Sequence, residues 1–358
     1  YAASTVGAIV GALLAGHVLL PRIGFTGTVA LAAFINILVA ACIIPVCRRV
    51  GRGRSDVTER MPTGLRVSLA AAPLIAVLLL SVGGPEAILR HVPLWDGPVP
   101  GRIMYSAAGA SSNVMLIQGE KEFELFTGGS LESALAPKGA VGGAEMYQRW
   151  LGALPVLARP KSRSMLLVGF GGGNAVAGVP ATVKSIDAVE LEPKVIDALE
   201  TVAHLRLQNP LDDPRVNIVF NDARGALSLT TKQYDIIVSQ PSHPWSAGAS
   251  HLYTWEFLSL VKARLKEGGV LLQWMNTNFV DEELLKSLGA TLLDVFANVR
   301  IYHPLPRHVL LLAADSPLDV EEQIARTGQP LDSSFESMTF TDNTADYEGG
   351  GMMIYGHS

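Results

Sequence analysis

A glycine-rich turn, followed about 20 residues later by an acid, is the feature of this sequence with the clearest chemistry. An apolar run leads into a turn that contains Gly169, Gly171, Gly172 and Gly173, and the next apolar run ends at Glu190. Glycines at the end of a strand let the backbone approach a ligand closely, and an acid at the next strand tip accepts ribose hydroxyls. The spacing therefore predicts a nucleoside site with Glu190 as its ribose acid.

Further polar residues follow at the ends of the later apolar runs. Asp222 is placed to accept a hydrogen bond from an adenine amino group, with Ala223 beside it. The next run ends in a segment that contains Gln240, His243 and Trp245, where a substrate would meet the nucleoside. The order of turn, acid and second polar tip predicts an adenosyl ligand.

The elements that hold these residues alternate along the chain. The pattern predicts strands at 165–168, 186–191, 216–220, 234–239 and 270–274, and helices at 145–157, 193–204 and 254–265. This alternation is typical of α/β proteins with a mainly parallel, Rossmann-like sheet and helices on both of its faces. Strand signals at 113–118 and 122–127 predict a small β-hairpin region before that sheet.

The first 84 residues contain three apolar segments, at 2–20, 28–46 and 67–83. Each approaches the roughly 20 residues that a helix needs to cross a bilayer. We therefore predict about three transmembrane helices, with the lipid bilayer as a partner. Because the chain begins at Tyr1 inside an apolar run, we also expect missing upstream helices or other membrane subunits.

The loop between the second and third apolar segments carries six arginines between residues 48 and 66. A short basic loop usually faces the cytoplasm, and a spanning third segment would then carry the rest of the chain outside. A nucleoside site argues for the opposite side, where adenosyl ligands are made. Since the first helices of a membrane protein often dominate its orientation, we place the large domain on the cytoplasmic side.

Composition narrows the function classes. The formal net charge of −5 gives no indication of nucleic-acid binding, which favours a basic surface. The two cysteines, Cys42 and Cys47, support neither a disulfide framework nor a metal site, so no metal is predicted.

The predicted divisions are transmembrane helices at 1–84, a proline-rich linker at 85–101, the small β region at 102–140, the Rossmann domain at 141–315 and a tail without a site at 316–358.

Residues 169–273 resemble the polyamine aminopropyltransferases, the spermidine synthase family. The resemblance is carried by V-G-F-G-G-G-N, D-A-V-E-L-E-P-K-V-I-D, D-D-P-R-V-N-I-V-F-N-D-A-R and Y-D-I-I-V-S-Q-P-S-H-P-W. The apolar segments resemble bacterial membrane proteins that fuse transporter-like helices to such a domain. The resemblance implies a class I methyltransferase-type fold and a bacterial inner-membrane location. It also implies decarboxylated S-adenosylmethionine, S-adenosylmethionine or methylthioadenosine as the ligand.

The sequence departs from that family where its chemistry takes place. The first acid of the family's catalytic loop is replaced by Gln240 and the second by His243, and the acid of the glycine turn is replaced by Gly172. A glutamine cannot act as a general base. His243 could act as one, since an ordinary histidine titrates near neutral pH, or it could hydrogen-bond the proline-rich loop.

Other residues are assigned to the acceptor side. The Tyr-Gln pair that begins the family's helix stands here as Tyr147 and Gln148, and the family's nucleoside-contacting glutamine appears as Glu132. Gln240, His243 and Tyr147 are the catalytic candidates, and Gln148, Trp245 and Glu132 line the predicted substrate pocket. Trp255 and Trp274 could cover that pocket together with Trp245, or these two residues could pack in the core.

Three functions remain open from the sequence. The first is a membrane-anchored spermidine synthase-like transferase of an aminopropyl-type group. The second is a non-catalytic subunit or an assembly or docking protein of a membrane complex, within an oligomer or a larger complex. The third is an S-adenosylmethionine-dependent methyltransferase on the same fold.

Overall fold

The computed structural model describes residues 2–19, 22–23, 27–28, 30–36, 39, 101–139, 146–241, 248–277, 280–305, 307–318 and 320. The chain divides into two units, Tyr1–Glu120 with Phe126–Ser130 and Lys121–Leu125 with Leu131–Ser358. The second unit contains the alternating strands and helices that the sequence pattern predicts.

The first apolar segment forms a helix that is shorter than predicted. Helix α1 (Ala2–Leu14) has 13 residues and continues as a short π-helix (Ala15–Leu19). Within the described ranges, no helix combines the length and apolar character needed to cross a bilayer. The predicted inner-membrane location is therefore corrected. Residues 40–46 of the second predicted helix, the third predicted helix (67–83) and the arginine-rich loop lie outside the described residues.

The small β region is confirmed as a four-stranded sheet in the order β1-β2-β3-β4. Its strands are β1 (Arg102–Ala108), β2 (Asn113–Gln118), β3 (Phe123–Thr127) and β4 (Ser130–Leu135). The turn between β3 and β4 contains Gly128 and Gly129, which both have positive φ angles, 58° and 87°. Two successive left-handed residues suit glycine and match the twist of a tight hairpin.

A seven-stranded sheet in the order β10-β11-β9-β8-β5-β6-β7 forms the centre of the second unit. Its strands are β5 (Ser164–Val168), β6 (Ser185–Glu190), β7 (Val216–Phe220), β8 (Tyr234–Ser239), β9 (Leu265–Asn276), β10 (Asn298–Leu305) and β11 (His308–Ala314). Strands β5 to β9 are parallel, whereas β11 runs antiparallel to both β9 and β10. The parallel order places the carboxyl ends of β5 to β9 along one edge of the sheet.

Several of the helices begin after a residue whose side chain caps them. They are α2 (Met146–Ala158), α3 (Asn174–Ala177), α4 (Pro193–Val202), α5 (Ala223–Leu229), α6 (Trp255–Arg264) and α7 (Glu282–Val295). Thr254 accepts a hydrogen bond from the amide of Phe257, and Asp281 accepts one from the amide of Leu284. These side chains satisfy amide groups that a helix leaves open at its start.

The core lies on the faces of the central strands. β5 is buried along its whole length, and Ile237, Leu271 and Phe257 are fully enclosed in the main apolar cluster. The predicted bounds of 216–220 and 234–239 match β7 and β8, which are rich in valine and isoleucine.

Strand β9 shows where the sequence pattern was insufficient. The prediction was 270–274, but the strand begins at Leu265 and ends at Asn276. Its polar start contains Lys266 and Gly268, which has a φ of +73°, and the pairing with β8 shifts register near this point. A bulged, polar strand start does not produce the apolar run from which strands are predicted.

Candidate functional site

The glycine turn after β5 requires its glycines for conformation and for space. Gly169, Gly171 and Gly173 have φ angles of 84°, 52° and 74°, in the left-handed region. A Cβ atom on Gly169 would lie 2.8 Å from the carbonyl oxygen of Gln240, and one on Gly173 would lie 2.8 Å from Cζ of Phe170. The turn is therefore packed closely against the tip of β8.

Glu190, at the carboxyl end of β6, organises this turn. Its Oε2 accepts hydrogen bonds from the amides of Phe170 at 3.1 Å and Gly171 at 3.3 Å, and its Oε1 accepts one from the amide of Glu192 at 3.0 Å. Burial raises the pKa of the Glu190 carboxyl, and these backbone hydrogen bonds partly offset that effect. These amides hold the carboxylate beside the glycine turn.

Asp222 stands at the tip of β7, as the sequence predicted, and also caps a helix. Its Oδ2 accepts a hydrogen bond of 2.9 Å from the amide of Gly225, and its Oδ1 lies 3.6 Å from Nε2 of His251. Ala223, the buried first residue of α5, follows it. The cap fixes the carboxylate at the sheet edge with one oxygen turned towards His251.

Gln240 follows β8 on the strand adjacent to the glycine turn. Its Nε2 donates a hydrogen bond of 2.7 Å to the carbonyl oxygen of Gly169, and its backbone amide donates to Val168 at 3.0 Å. The side chain therefore holds the turn through an amide donor.

Gly172 faces a wall of neutral side chains. A Cβ atom at this position would lie 2.4 Å from both Cδ2 of Leu135 and Oγ of Ser133. The acid that the family resemblance implies here could not fit unless these two residues moved. The packing of Leu135 and Ser133 is therefore consistent with the absence of an acid at residue 172.

Gln148 joins a buried polar network, rather than extending freely into a pocket. Its Oε1 accepts hydrogen bonds from Oγ of Ser133 at 3.0 Å and from Nδ2 of Asn174 at 2.5 Å. Its Nε2 donates to the carbonyl oxygen of Glu132 at 3.4 Å. These contacts connect α2, β4 and α3 behind the glycine turn.

Asn174 and Arg206 were not identified from the sequence. Nη2 of Arg206 donates to the carbonyl oxygen of Gly172 at 2.8 Å and to Oδ1 of Asn174 at 3.2 Å. Both side chains are buried. Asn174 directly follows the glycines, which could have drawn attention to it, whereas Arg206 lies in an irregular stretch without any motif.

Two buried polar residues lie on the neighbouring strands of the same edge. Ser239 of β8 and Gln273 of β9 are register partners, and both are fully buried. Within the described part of the chain, Oγ of Ser239 and Oε1 of Gln273 have no hydrogen-bond partner. Buried polar atoms are nearly always paired, so these two atoms are exceptions at this edge of the sheet.

Tyr253 is a further residue that the sequence analysis missed. Burial raises the pKa of its hydroxyl, and the nearby negative charge of Glu132 raises it further. Tyr253 is therefore a protonated hydrogen-bond donor at neutral pH. This electrostatic coupling places Glu132, a predicted pocket residue, near the 3₁₀ helix Ser250–Tyr253.

The remaining predicted residues divide between described and undescribed positions. The side chain of Tyr147, and all of His243 and Trp245, lie outside the described residues. Trp274 donates from Nε1 to Nδ1 of His308 at 3.4 Å and stacks on that ring. Trp255 is 53% exposed, so the suggestion that it packs in the core is wrong. Across the described ranges, no group of three or more His, Cys, Asp or Glu side chains could hold a metal ion.

Fold and site together define a class. A parallel sheet, with a glycine turn after one strand and an acid at the tip of the next, is a Rossmann-like domain of the class I methyltransferase type. Residues 144–309 match the family described as the Spermine/spermidine synthase domain. This part of the chain is therefore similar to the spermine/spermidine synthase domain.

Individual relatives agree with this assignment. Polyamine aminopropyltransferase 1 of Pseudomonas aeruginosa is 28% identical over 159 residues, which cover 44% of this chain and 55% of that protein. The polyamine aminopropyltransferase of Mycobacterium tuberculosis is 28% identical over 277 residues, which cover 75% of this chain and 49% of that protein. The chain thus spans about half the length of these relatives.

Solved structures support the fold. Spermidine synthase in complex with the transition-state analogue AdoDATO has a TM-score of 0.56 and 19% identity, covering 67% of this chain and 86% of that one. The spermidine synthase of Thermotoga maritima has a TM-score of 0.54 at the same identity, covering 67% of this chain and 85% of that one.

Proposed function

We propose that this domain binds an adenosyl sulfonium or thioether and transfers an aminopropyl-type group to an acceptor that is not a diamine. The observation that carries the proposal is the carboxyl edge of the parallel sheet. There the glycine turn, the buried Glu190, Asp222 and Gln240 stand on four strands that meet at one edge. Ligands of open α/β sheets bind at this edge.

In the nucleoside half, Glu190 accepts from the ribose hydroxyls and Asp222 accepts from the adenine amino group. The left-handed glycines let the ligand approach the backbone. The candidate ligands are decarboxylated S-adenosylmethionine, S-adenosylmethionine and methylthioadenosine. The solved relative with AdoDATO supports the first of these, since that complex contains a transition-state analogue.

In the transfer step, a nucleophile attacks the carbon next to the positively charged sulfur. The carbon–sulfur bond breaks, its electron pair remains on sulfur as a neutral thioether, and the proton that the nucleophile loses passes to solvent. The residues of this chain bind and orient the donor, but Gln240 cannot take a proton from the nucleophile. The proposed acceptor is therefore one that does not depend on a carboxylate at residue 240.

The neutral wall supports the exclusion of diamines. A diamine carries ammonium groups whose burial is costly unless acids pair with them. Gly172 is enclosed by Ser133 and Leu135, and Gln240 presents an amide to the turn. The acceptor half thus lacks acids at both of these positions.

A non-catalytic binding role is the second candidate, and the contact of Gln240 with Gly169 favours it. In that case the domain would bind the nucleoside without turnover.

The test measures thermal unfolding of the full chain with each of the three ligands, and then release of methylthioadenosine from the decarboxylated donor with a range of amines. Stabilisation with turnover supports the transferase, and stabilisation without turnover supports the binding role. No stabilisation by any of the three ligands would contradict both.

A further inference from the structure

The order of the strands sets the direction in which the proposed ligand lies. Glu190 stands on β6 and Asp222 follows β7, whereas the glycine turn follows β5 and Gln240 follows β8. A ligand with its ribose on β6 and its base on β7 therefore directs its sulfur, and the tail beyond the sulfur, towards the glycine turn. The charges that are fixed around this turn decide which tail the site accepts.

A buried positive charge lies beside the turn. Arg206 is 3% exposed, and its Nη2 donates to the carbonyl oxygen of Gly172 at 2.8 Å and to Oδ1 of Asn174 at 3.2 Å. Both of these acceptors are neutral. Backbone hydrogen bonds join residues 205–207 to residues 136–138, which directly follow β4, and so hold the arginine in place. Because an arginine stays charged and water is excluded here, its field acts on a ligand tail at the turn more strongly than a surface charge would.

A negative charge lies on the strand that packs against the turn. Glu132 of β4 is partly exposed, and it directly precedes Ser133, whose side chain packs against Gly172. Successive side chains of a strand point to opposite faces, so the carboxylate of Glu132 points away from that packed contact. Burial raises the pKa of the Tyr253 hydroxyl, and the charge of Glu132 raises it further, so these two side chains are near each other. The surroundings of the turn therefore include one buried cation and one partly exposed anion.

The three candidate ligands differ in the charges of their tails. The tail of S-adenosylmethionine is an amino acid, with an ammonium and a carboxylate that balance each other. The decarboxylated donor keeps only the ammonium, and methylthioadenosine has neither group. A lone ammonium is repelled by the guanidinium of Arg206 and meets no acid at residues 172 and 240, whereas a carboxylate is attracted to the guanidinium.

We infer that the site prefers S-adenosylmethionine to its decarboxylated form, and that Arg206 determines this preference through its charge. The inference rests on the proposed function and names the donor. The group transferred then keeps its carboxylate: the nucleophile attacks the tail carbon bonded to sulfur, the carbon–sulfur bond breaks with its electron pair on sulfur, and methylthioadenosine leaves. The proton that the nucleophile loses passes to solvent.

The test is a calorimetric titration of the full chain with S-adenosylhomocysteine, its decarboxylated form and methylthioadenosine. These thioethers share the adenosyl group and differ only in the tail. We expect the wild-type chain to bind S-adenosylhomocysteine about tenfold more tightly than the decarboxylated form. In Arg206→Gln the ratio of these two affinities should fall to about one, while the affinity for methylthioadenosine changes little.

Two further variants separate charge from packing. Arg206→Lys keeps the positive charge and should keep most of the preference. Glu132→Gln is the matched control, because both amine-bearing ligands present the same ammonium to residue 132. Their affinities should weaken alike in this variant, and the ratio between them should not change.

The comparison within the wild-type chain needs no variant, so it remains decisive if Arg206→Gln does not fold. Equal affinities, or a preference for the decarboxylated form, would overturn the inference, whereas binding of methylthioadenosine would leave the proposed function standing. An unchanged ratio in a folded Arg206→Gln would overturn the role of Arg206. Failure of the wild-type chain to bind any of the three ligands would overturn the proposed function as well.

Discussion

Gln240 shows at the scale of a single residue how this site differs from the family it resembles. The side chain donates a 2.7 Å hydrogen bond to Gly169, so the residue that would be an acid in the family serves here to hold the turn. Gly172 departs in the same direction, because Ser133 and Leu135 occupy the space that a side chain would need. The two departures are consistent with each other, since both remove negative charge from the acceptor half.

The packing around Gly172 gives a prediction about stability. Gly172→Ala should lower the free energy of unfolding by about 1–3 kcal/mol, because the new Cβ would lie 2.4 Å from Leu135 and Ser133. Chemical denaturation of the full chain measures the change. Gly289→Ala is the matched control: it lies within α7, and its Cβ would meet nothing within 4 Å.

For Gly289→Ala we expect no loss of stability, or a gain of up to about 1 kcal/mol from helix propensity. Equal stability of Gly172→Ala and the wild-type chain would show that the wall can move. The reason given for the missing acid would then be wrong.

At the scale of elements, the two ends of the parallel strands have different roles. The carboxyl ends carry the candidate site, and Asp235 connects neighbouring strands by hydrogen bonds at the amino ends. Its Oδ2 accepts hydrogen bonds from the amides of Arg163 and Ser164 at 3.0 and 2.9 Å, and from Nζ of Lys266 at 3.0 Å. These contacts connect β8 to β5 and β9.

The Asp235 junction gives a prediction about pH. Burial alone would raise the pKa of Asp235, but the hydrogen bonds from Arg163, Lys266 and Ser164 lower it to about 2. Because the pKa in the folded state is depressed, the stabilisation is present above pH 3.8, the ordinary value, and is lost as pH falls towards about 2. We expect Asp235→Asn to cost about 1 kcal/mol at neutral pH, since solvent screens part of the interaction.

Urea unfolding from neutral pH down to pH 2 measures this effect. The difference between Asp235→Asn and the wild-type chain should shrink as the pH falls below 4. Asp294→Asn, which removes an exposed acid on α7, controls for the change in net charge. A difference that stays constant over the whole range would contradict this account of Asp235.

The sequence predicts those elements that produce their own local signal. β7 and β8 are short strands rich in valine and isoleucine, and Pro193 begins α4 at the position where proline is favoured. The hairpin of β10 and β11 escaped prediction, although β11 is buried, because the left-handed residue of its turn is Arg307 rather than a glycine. Arg206 was missed for another reason: its contacts with Gly172 and Asn174 are tertiary and leave no pattern in the chain.

At the scale of the whole molecule, hydropathy alone led to a wrong expectation. The segment at 2–20 is apolar and nearly long enough to span a bilayer, but the structure ends α1 at Leu14 and continues it as a π-helix. Apolar composition does not fix helix length. The membrane prediction required a helix long and apolar enough to cross a bilayer, and the described part of the chain does not contain one.

The part of the proposed site that would bind the acceptor gives a prediction about the activity of the whole molecule. With putrescine and decarboxylated S-adenosylmethionine, we expect a turnover far below the roughly 1 per second of ordinary enzymes, because residues 172 and 240 carry no acid. Release of methylthioadenosine from the full chain is the readout. A turnover of ordinary size would contradict the prediction and require another base, with His243 the first candidate.

The central claim is that the chain binds an adenosyl ligand through Glu190. Calorimetric titration of the full chain with methylthioadenosine should show saturable binding, and Glu190→Gln should weaken it by about 1–3 kcal/mol, since an amide pairs less well with ribose hydroxyls and with the turn amides. Glu200→Gln, which alters an exposed acid on α4, should bind as the wild-type chain does. No binding by the folded wild-type chain, or equal binding by Glu190→Gln, would contradict the account.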